Sequence, residues 1–543
     1  MDAGLPIAAE GGKHMNNIKL NEEQQNAIEK IQNGGNYIIL GKAGTGKTTL
    51  LHHLRQALPD AVFVAPTGNA ARLIGGTTIN SLFLIPSYPF ILSWTLGVIS
   101  SKKARKIISK ITTLVIDEIS MVRSDIFAAI DCRLRQYGPT GAECLPFGGR
   151  QIILCGDFFQ LPPVVTNDDV GGISVGEALE QDLGGIYPFD TPLWTRTGLE
   201  PIYLRTNIRQ SDDEKFKTCL DAFRCADQDR RLEAINLLNS RVTENIPAEA
   251  IYLCPRKHEV RLINEREIAK LETEERTFRA TIHGCYEKDF PVETEIKLKL
   301  GQKIVIHANI SENAVNGTTG TVSAFQSDGI LVRLDDGGEI LVEPYEFKKY
   351  AYRLVRDPVT GEERPVPFEI GRFRQLPVLS GYALTIHKAQ GMTLKSVALN
   401  RGKGCFSHGQ CYVGISRVHR LDDLFLSAPL EIADVIVDPD VLQADRVFRD
   451  DPNLWRACVI HKLKELKHDE RDYAGHLADW GTAILNEIAA DYNNRFDAGE
   501  EPTNNEVDQK LDYLCRQLFL LYTEQARCSL NAVFKDLLKC LDL

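Results

Sequence analysis

Short strand-like apolar runs alternate with polar, helix-prone stretches through the first third of the chain. Tyr37–Leu40, Ala61–Val64, the run that opens at Leu114 and Gln151–Leu154 each stop at glycine, proline or acidic residues. Strands alternating with helices over residues 36–165 predict a parallel, doubly wound α/β sheet. Ahead of the first strand, Leu20–Ile28 reads as a helix, with Asn21 as its N-cap and acidic residues in its first turn. Residues 298–345 change period. Short β-rich runs there are broken by Asn316-Gly317, Asp328-Gly329 and Asp336-Gly337-Gly338, which are hairpin signals. From residue 431 onward the pattern is helical, with apolar faces and charged backs, interrupted near residues 493–506.

The first strand runs into GKAGTGKT, Gly41 to Thr48, followed by an apolar helix start. This is the G-x-x-x-x-G-K-[ST] phosphate loop in its required strand–loop–helix setting. Gly41, Gly44 and Gly46 let the backbone turn, and with Ala43, Thr45 and Thr49 they present N–H groups to phosphate oxygens. The helix N-terminus adds its positive dipole end. Lys47 supplies charge to the β- and γ-phosphates of ATP, and the Thr48 hydroxyl suits Mg²⁺. Upstream, the Gln24 amide has the donor and acceptor needed to read an adenine edge; a plain surface helix is the competing reading.

LVIDEISMV places Asp117 and Glu118 at a strand end. Asp117 is expected to hold Mg²⁺ through water, and Glu118 to deprotonate the attacking water. After the strand Gln151–Leu154, Asp157 fixes a loop in which Gln160 is set to touch the γ-phosphate. Two further loops at strand ends, APTGNAA and TTINSLF, carry Pro66, Thr67, Asn69, Thr78, Asn80 and Ser81. Short hydroxyl side chains and backbone N–H groups there suit nucleic-acid phosphates. Between residues 84 and 110, Tyr88, Phe90 and Trp94 precede Lys102, Lys103, Arg105, Lys106 and Lys110. That combination suits a small insertion at a nucleic-acid fork, or equally a solvated basic helix.

Composition narrows the classes without choosing among them. At 543 residues the chain exceeds one core and calls for several domains. Hydrophobic content of 43% and charged content of 25% are those of a globular protein. No apolar run reaches the ~18 residues of a membrane span, so no membrane partner is expected. Thirteen scattered cysteines without zinc spacing point to reduced thiols. A net charge of −11 weighs mildly against polyanion binding but leaves room for a locally basic groove. Residues 1–15 look like an expression leader or a disordered start.

GKAGTGKT, APTGNAA, IDEISMV, PFGGRQIILCGDFFQLPPV, LRTNIRQSD, GYALTIHKAQGMTL and GQCYVGISR occur in this order. Together they resemble the motifs of superfamily-one helicases. The PFGG…GDFFQLPPV segment after DEISM resembles the Pif-type DNA helicases, within the group that also holds RecD-like enzymes. The resemblance covers roughly residues 18–430. It implies two RecA-like parallel-sheet domains, a small wedge insertion, an inserted Src-homology-type β-barrel and a helical C-terminal accessory region. The boundaries it suggests are 16–200 for the first RecA-like domain, with the wedge at about 84–110. The second RecA-like domain is expected at 201–297 and 379–435, the barrel at 298–378 and the helical region at 436–543.

The resemblance also implies roles. Arg209 and Arg417 reach the γ-phosphate from the second domain. Gln390 and Gly391 lie near the nucleotide cleft, while Thr385, His387 and Lys388 contact the DNA backbone. ATP with Mg²⁺ is expected to drive 5′-to-3′ movement on single-stranded DNA and unwinding of forked or structured DNA, with guanine quadruplexes and RNA–DNA hybrids as further substrates. Asn80 stands where relatives often carry histidine, which implies an altered grip on the strand. A monomer is expected, with a protein partner for the C-terminal helices. The cytoplasm or nucleoid suits a bacterial or viral origin, and a nuclear or mitochondrial site stays open. The competing class is an ATP-switched DNA-binding subunit of a RecD-like complex. A switch would typically lack Glu118 or one of the arginines.

Overall fold

In the computed structural model, the described residues are 19–448 without 87–98, 143–144, 167–168, 171–172, 211–212, 285–289, 312 and 358–359. Residues 1–18, the aromatic part of the stretch expected as a wedge (87–98) and residues 449–543 lie outside them. The chain divides into two compact units. One runs to Leu442 without Pro192–Arg196, and the other joins Pro192–Arg196 to the residues from Gln443 onward. Everything below concerns the first.

Its first sheet has six strands, all parallel where paired. Across the sheet they run Thr77–Thr78, Val62–Ala65, Thr113–Ile116, Gln151–Gly156, Asn36–Gly41 and Leu199–Leu204. This order sets the strand ends carrying the phosphate loop, Asp157 and the Asp117-Glu118 pair side by side. Ligands bind at the carboxyl ends of such open sheets. The helix Glu22–Gln32 and the phosphate-loop helix Lys47–Ala57 cover one face. Ala27, Ile31, Leu50, Leu51 and Leu54 pack there against Ile39, Phe63, Val115, Ile153 and Cys155. The strand Leu199–Leu204 carries this sheet past residue 200, where the sequence pattern placed the start of the second half.

A second parallel sheet of four strands runs Ala383–Thr385, Ile251–Cys254, Val397–Leu399 and Leu424–Leu426. Between its first two strands in the chain lies an all-antiparallel segment. Glu339–Val342, Gly329–Leu334, Thr319–Gln326, Lys303–Ile306 and Val378–Ser380 make one five-stranded sheet. Its turns fall where the Asp-Gly signals stood. Gly337 and Gly338 take φ of 102° and 86°, a conformation that side-chain-bearing residues rarely adopt.

The strands Tyr345–Arg356 and Glu363–Gln375 do not join that sheet. They form a long hairpin with Thr281–Gly284 on its flank. The hairpin leans on the first parallel sheet. The Tyr352 hydroxyl accepts from Phe63 N at 2.9 Å and donates to Phe63 O at 3.3 Å. Arg364 pairs with Asp60, and Lys106 with Glu363 at 2.7 Å. The Lys103 ammonium lies 5.6 Å from the Phe368 ring centre. Part of the basic helix Lys102–Ser109 is therefore spent on the hairpin rather than left to solvent.

Tyr352 is buried, so removing its hydroxyl leaves polar groups of Phe63 without that partner. Tyr352→Phe is expected to destabilise the folded unit by ~1–3 kcal/mol. A lowered urea midpoint with an unchanged slope would show this, and an unchanged midpoint would deny the contact.

Candidate functional site

The phosphate loop is built by its own backbone. Gly44 and Gly46 take φ of 86° and 79°, and Gly46 opens the helix that begins at Lys47. The Lys47 ammonium sits on the carbonyl oxygens of Gly41 and Lys42 at 2.6 and 3.1 Å. Thr45 Oγ1 closes the turn onto Lys42 O at 3.0 Å. Thr48 and Thr49 follow in the first helical turn. Gln24 anchors the loop from below. Its Oε1 accepts from Asn21 N at 3.1 Å, and its Nε2 reaches Thr45 O and Gly46 O at 3.4 and 3.3 Å. Both ends of the amide expected to read adenine are thus engaged with backbone. Ile208, 53% exposed, lies beside the same loop.

Asp117 and Glu118 follow the strand Thr113–Ile116. Glu118 takes φ 50° and ψ 47°, a left-handed conformation that costs a non-glycine residue ~1 kcal/mol or more. Asp117 Oδ1 accepts from Glu118 N at 2.9 Å. Burial, with the neighbouring Glu118 charge, pushes the Asp117 carboxyl up to about 7. Burial also raises Glu118, against the opposing charges of Lys47 and Arg417. Gln160 donates to Asp157 Oδ2 at 3.3 Å. Burial would raise Asp157 too, but Arg224 and Lys47 outweigh it and hold the carboxyl below its ordinary range.

The second half closes over these groups. Gln390 Nε2 donates to Glu118 Oε2 at 3.3 Å, and Gly391 beside it takes φ 80° with open space around it. The segment after Leu204 lies on the phosphate loop itself. Ile208 N and Arg209 N both reach Gly44 O, at 2.9 and 3.3 Å, and Asn207 Nδ2 reaches Ala43 O at 3.2 Å. Arg209 donates to Ser416 O at 3.1 Å. Arg417 is held by Val413 O, Met392 O and Ser416 Oγ. Burial lowers Arg209 to about 10, and burial together with repulsion from Arg209 lowers Arg417 to about 9. Gln210 ties this segment to the rest of the second half through Ser416 O and Val418 O at 3.3 and 2.8 Å.

The loops expected to meet nucleic acid are self-capped. Thr67 Oγ1, one residue after Pro66, accepts from Ala70 N at 3.2 Å, and Asn69 accepts from Arg72 at 3.4 Å. Thr78 Oγ1 accepts from Ser81 N at 3.3 Å and donates to Ser81 Oγ at 2.8 Å. Asn80 spends its amide on the carbonyls of Ile85 and Pro86 at 3.1 and 3.0 Å. Thr385 caps the turn holding His387 and Lys388, both exposed, by accepting from Lys388 N at 3.2 Å. Arg72 from the first half and Lys388 from the second converge on buried His307. Burial first, then these two charges, lower that imidazole to about 4. One cation from each half therefore acts on the same imidazole.

Arg224 was not marked by any motif. Its guanidinium reaches both oxygens of Asp157 at 2.7 Å and lies 4.3 Å from the Phe159 ring centre and 5.3 Å from that of Tyr412. Arg72 and Asn207 also went unread. FRCAD carries no local signature for such a role, since the link to Asp157 exists only through space.

Mg²⁺ fits these residues by donor chemistry. The Thr48 hydroxyl and the Asp117 carboxylate are hard oxygen donors of the kind Mg²⁺ takes. Among the described residues no cluster of three or more His, Cys, Asp or Glu is placed to hold a metal. The rest of the ion's shell would come from water and nucleotide phosphate. The seven described cysteines are all free thiols. No described helix is long and apolar enough to cross a membrane.

A sequence model of the PIF1-like helicases matches residues 19–221. The ATP-dependent DNA helicase PIF6 of Trypanosoma brucei brucei is 32% identical over 486 residues, covering 81% of this chain and 58% of its own. The chain spans about three fifths of the length of the first curated relatives it matches. Bacteroides sp Pif1 in complex with ADP-AlF4 superposes with a TM-score of 0.71 at 30% identity, covering 80% of this chain and 99% of that one. Bacteroides Pif1 bound to ssDNA gives 0.55 at 31% identity, covering 79% and 97%.

Unfolded Asp titrates at ~4, whereas burial and the Glu118 charge push the folded Asp117 carboxyl up to about 7. Across that window the folded, ligand-free protein holds a proton that the unfolded chain has released, so its stability falls as pH rises. Asp117→Asn is expected to flatten this slope in urea melts taken at several pH values; an identical slope would refute the assignment.

Proposed function

We propose, from the premise that this chain belongs to the PIF1-like helicase family, that it hydrolyses ATP to move 5′ to 3′ along single-stranded DNA and to part duplex at a fork. The observation that carries this is the Gln390 bond onto Glu118, which joins the second half to the water-activating carboxylate of the first. A chain that only bound nucleotide would not need that carboxylate shared across the cleft.

Lys47 and the loop N–H groups grip the β- and γ-phosphates, and Thr48 with Asp117 would hold the metal. Mg²⁺ there would neutralise charge building on the phosphates. Glu118 takes the proton of the attacking water. Gln160 faces the γ-phosphate from the loop that Asp157 fixes. Arg209 and Arg417 then stabilise the charge of the transferring phosphoryl group. An arginine in that role is worth ~10³–10⁵ in rate. Loss of the γ-phosphate removes what the two arginines close upon, so hydrolysis opens the cleft.

DNA contacts are assigned to Thr67, Thr78, Thr385, His387 and Lys388, with Arg72 added because it and Lys388 act on the same buried imidazole. Such contacts hold the sugar–phosphate backbone and do not read sequence. Asn80 is reassigned to holding the Ile85–Pro86 turn, since its amide is engaged there. Domain limits of 16–204 for the first RecA-like domain and 298–380 for the inserted segment, less the hairpin, fit the strand pairing better than those read from the sequence. The helical region from 436 is retained as an accessory domain.

Strand displacement with ATP and Mg²⁺ on duplexes bearing a 5′ or a 3′ tail tests the reading. Unwinding of the 5′-tailed duplex alone is expected. Unwinding from the 3′ tail alone would overturn the polarity, and none from either would favour an ATP-switched binding subunit. In the same assay Glu118→Gln is expected to lose ~10²–10⁴ in hydrolysis rate while still binding ATP. Retained turnover would remove Glu118 from the base role.

A further inference from the structure

Arg224 lies in the turn after the helix Glu214–Ala222, outside every nucleotide motif. One guanidinium nitrogen reaches Asp157 Oδ1 and Oδ2 at 2.7 Å each, and the Tyr412 hydroxyl at 3.2 Å. The side chains of Arg224 and Asp157 are only 9% and 2% exposed. Asp157 in turn accepts from Phe159 N at 3.2 Å and from Gln160 Nε2 at 3.3 Å. The Tyr412 hydroxyl also accepts from Ala43 N, a phosphate-loop amide, at 3.2 Å. One cation thus touches the loop that carries Gln160 and, through one hydroxyl, the loop that carries Lys47. Tyr412 belongs to the helix Gln410–Ile415, just before Arg417.

The backbone around this junction leaves no slack. A Cβ on Gly409 would lie 2.3 Å from Gln160 O and 2.4 Å from Phe159 O, so only glycine lets the two chains approach. His408 Nε2 meets Phe158 O at 2.7 Å, while its Nδ1 accepts from Asp438 N at 2.9 Å. Breaking one partner of a buried ion pair is costly, yet such pairs give little net stability over apolar packing. What this one supplies is geometry.

We propose that Arg224 is a positioning residue for ATP hydrolysis, locking the Asp157–Gln160 loop, Tyr412 and the phosphate loop into one register so that Gln160, Arg209 and Arg417 arrive together at the γ-phosphate. This rests on the helicase reading above. The planar guanidinium stacks on Phe159 while it bonds Asp157 and Tyr412, which an ammonium does only in part. ATP affinity depends on the phosphate loop itself, which keeps Lys47 and its amides when Arg224 is changed. The loss should therefore fall on turnover, as for an interaction made only in the transition state.

Steady-state ATPase with saturating single-stranded DNA is measured for wild type, Arg224→Gln, Arg224→Lys and Tyr412→Phe. Arg224→Gln is expected to lower kcat about 100-fold, with KM for ATP within about threefold. Arg224→Lys, keeping charge on Asp157, should recover to within about tenfold of wild type. Tyr412→Phe, which keeps the ring and removes the hydroxyl bridge, should lose about tenfold in kcat. Wild-type kcat in Arg224→Gln overturns the inference. Equal losses in the Gln and Lys variants, with raised KM and a lowered Tm, also overturn it by reducing Arg224 to a structural ion pair. Absent turnover in wild type overturns the helicase reading, and this inference with it.

Discussion

Charge burial in one cleft is the constraint on which the rest of the molecule depends. Asp117, Glu118 and Asp157 are carboxylates taken out of water, and ions in such a setting need partners. Lys47, Arg224 and Arg417 act on them, and Arg209 acts on Arg417. Four cations against three carboxylates leave an excess of one positive charge, and a proton on Asp117 would add another. A buried site with that balance suits a triphosphate carrying a divalent ion. Burial and the neighbouring Glu118 charge raise the Asp117 pKa, and a divalent ion beside it would favour the charged form.

The fold delivers these groups by topology. The strands ending in the phosphate loop, Asp157 and Asp117-Glu118 are neighbours in the sheet, although Gly46 and Gly156 stand 110 positions apart in the chain. Glu118 takes a left-handed backbone, so local strain aims a carboxylate that the strand alone would not direct. The second half then adds what the first lacks. Gln390 reaches Glu118, Arg209 and Gln210 meet Ser416, and Tyr412 rests on Ala43. The cleft is complete only where two sheets meet, the arrangement a motor needs if nucleotide chemistry is to move one half against the other.

Much of this is legible along the chain because it is local. The apolar runs name their strands, and the phosphate loop needs its glycines at fixed offsets. Asn21 announces a helix start and forms a full capping box with Gln24. What sequence hides is through-space. Arg224 pairs with Asp157 across 67 positions. Gln24 looks free to meet a base until the loop carbonyls engage it, and Asn80 looks free to meet a phosphate until the next turn folds onto it. The stretch 346–378 reads as completing the small β-rich segment or returning the chain, because strand periodicity says nothing about which sheet a strand joins. Its hairpin leans on Phe63 by way of one tyrosine hydroxyl.

The central claim is that the second half completes the chemistry rather than the binding. Single-turnover hydrolysis alongside equilibrium ATP binding in Arg209→Ala tests it most directly. The account predicts affinity within about fivefold of wild type and hydrolysis slower by ~10³ or more. Hydrolysis at the wild-type rate would contradict it, leaving Arg209 as a brace between Gly44 and Ser416 and placing the catalytic machinery within the first sheet alone.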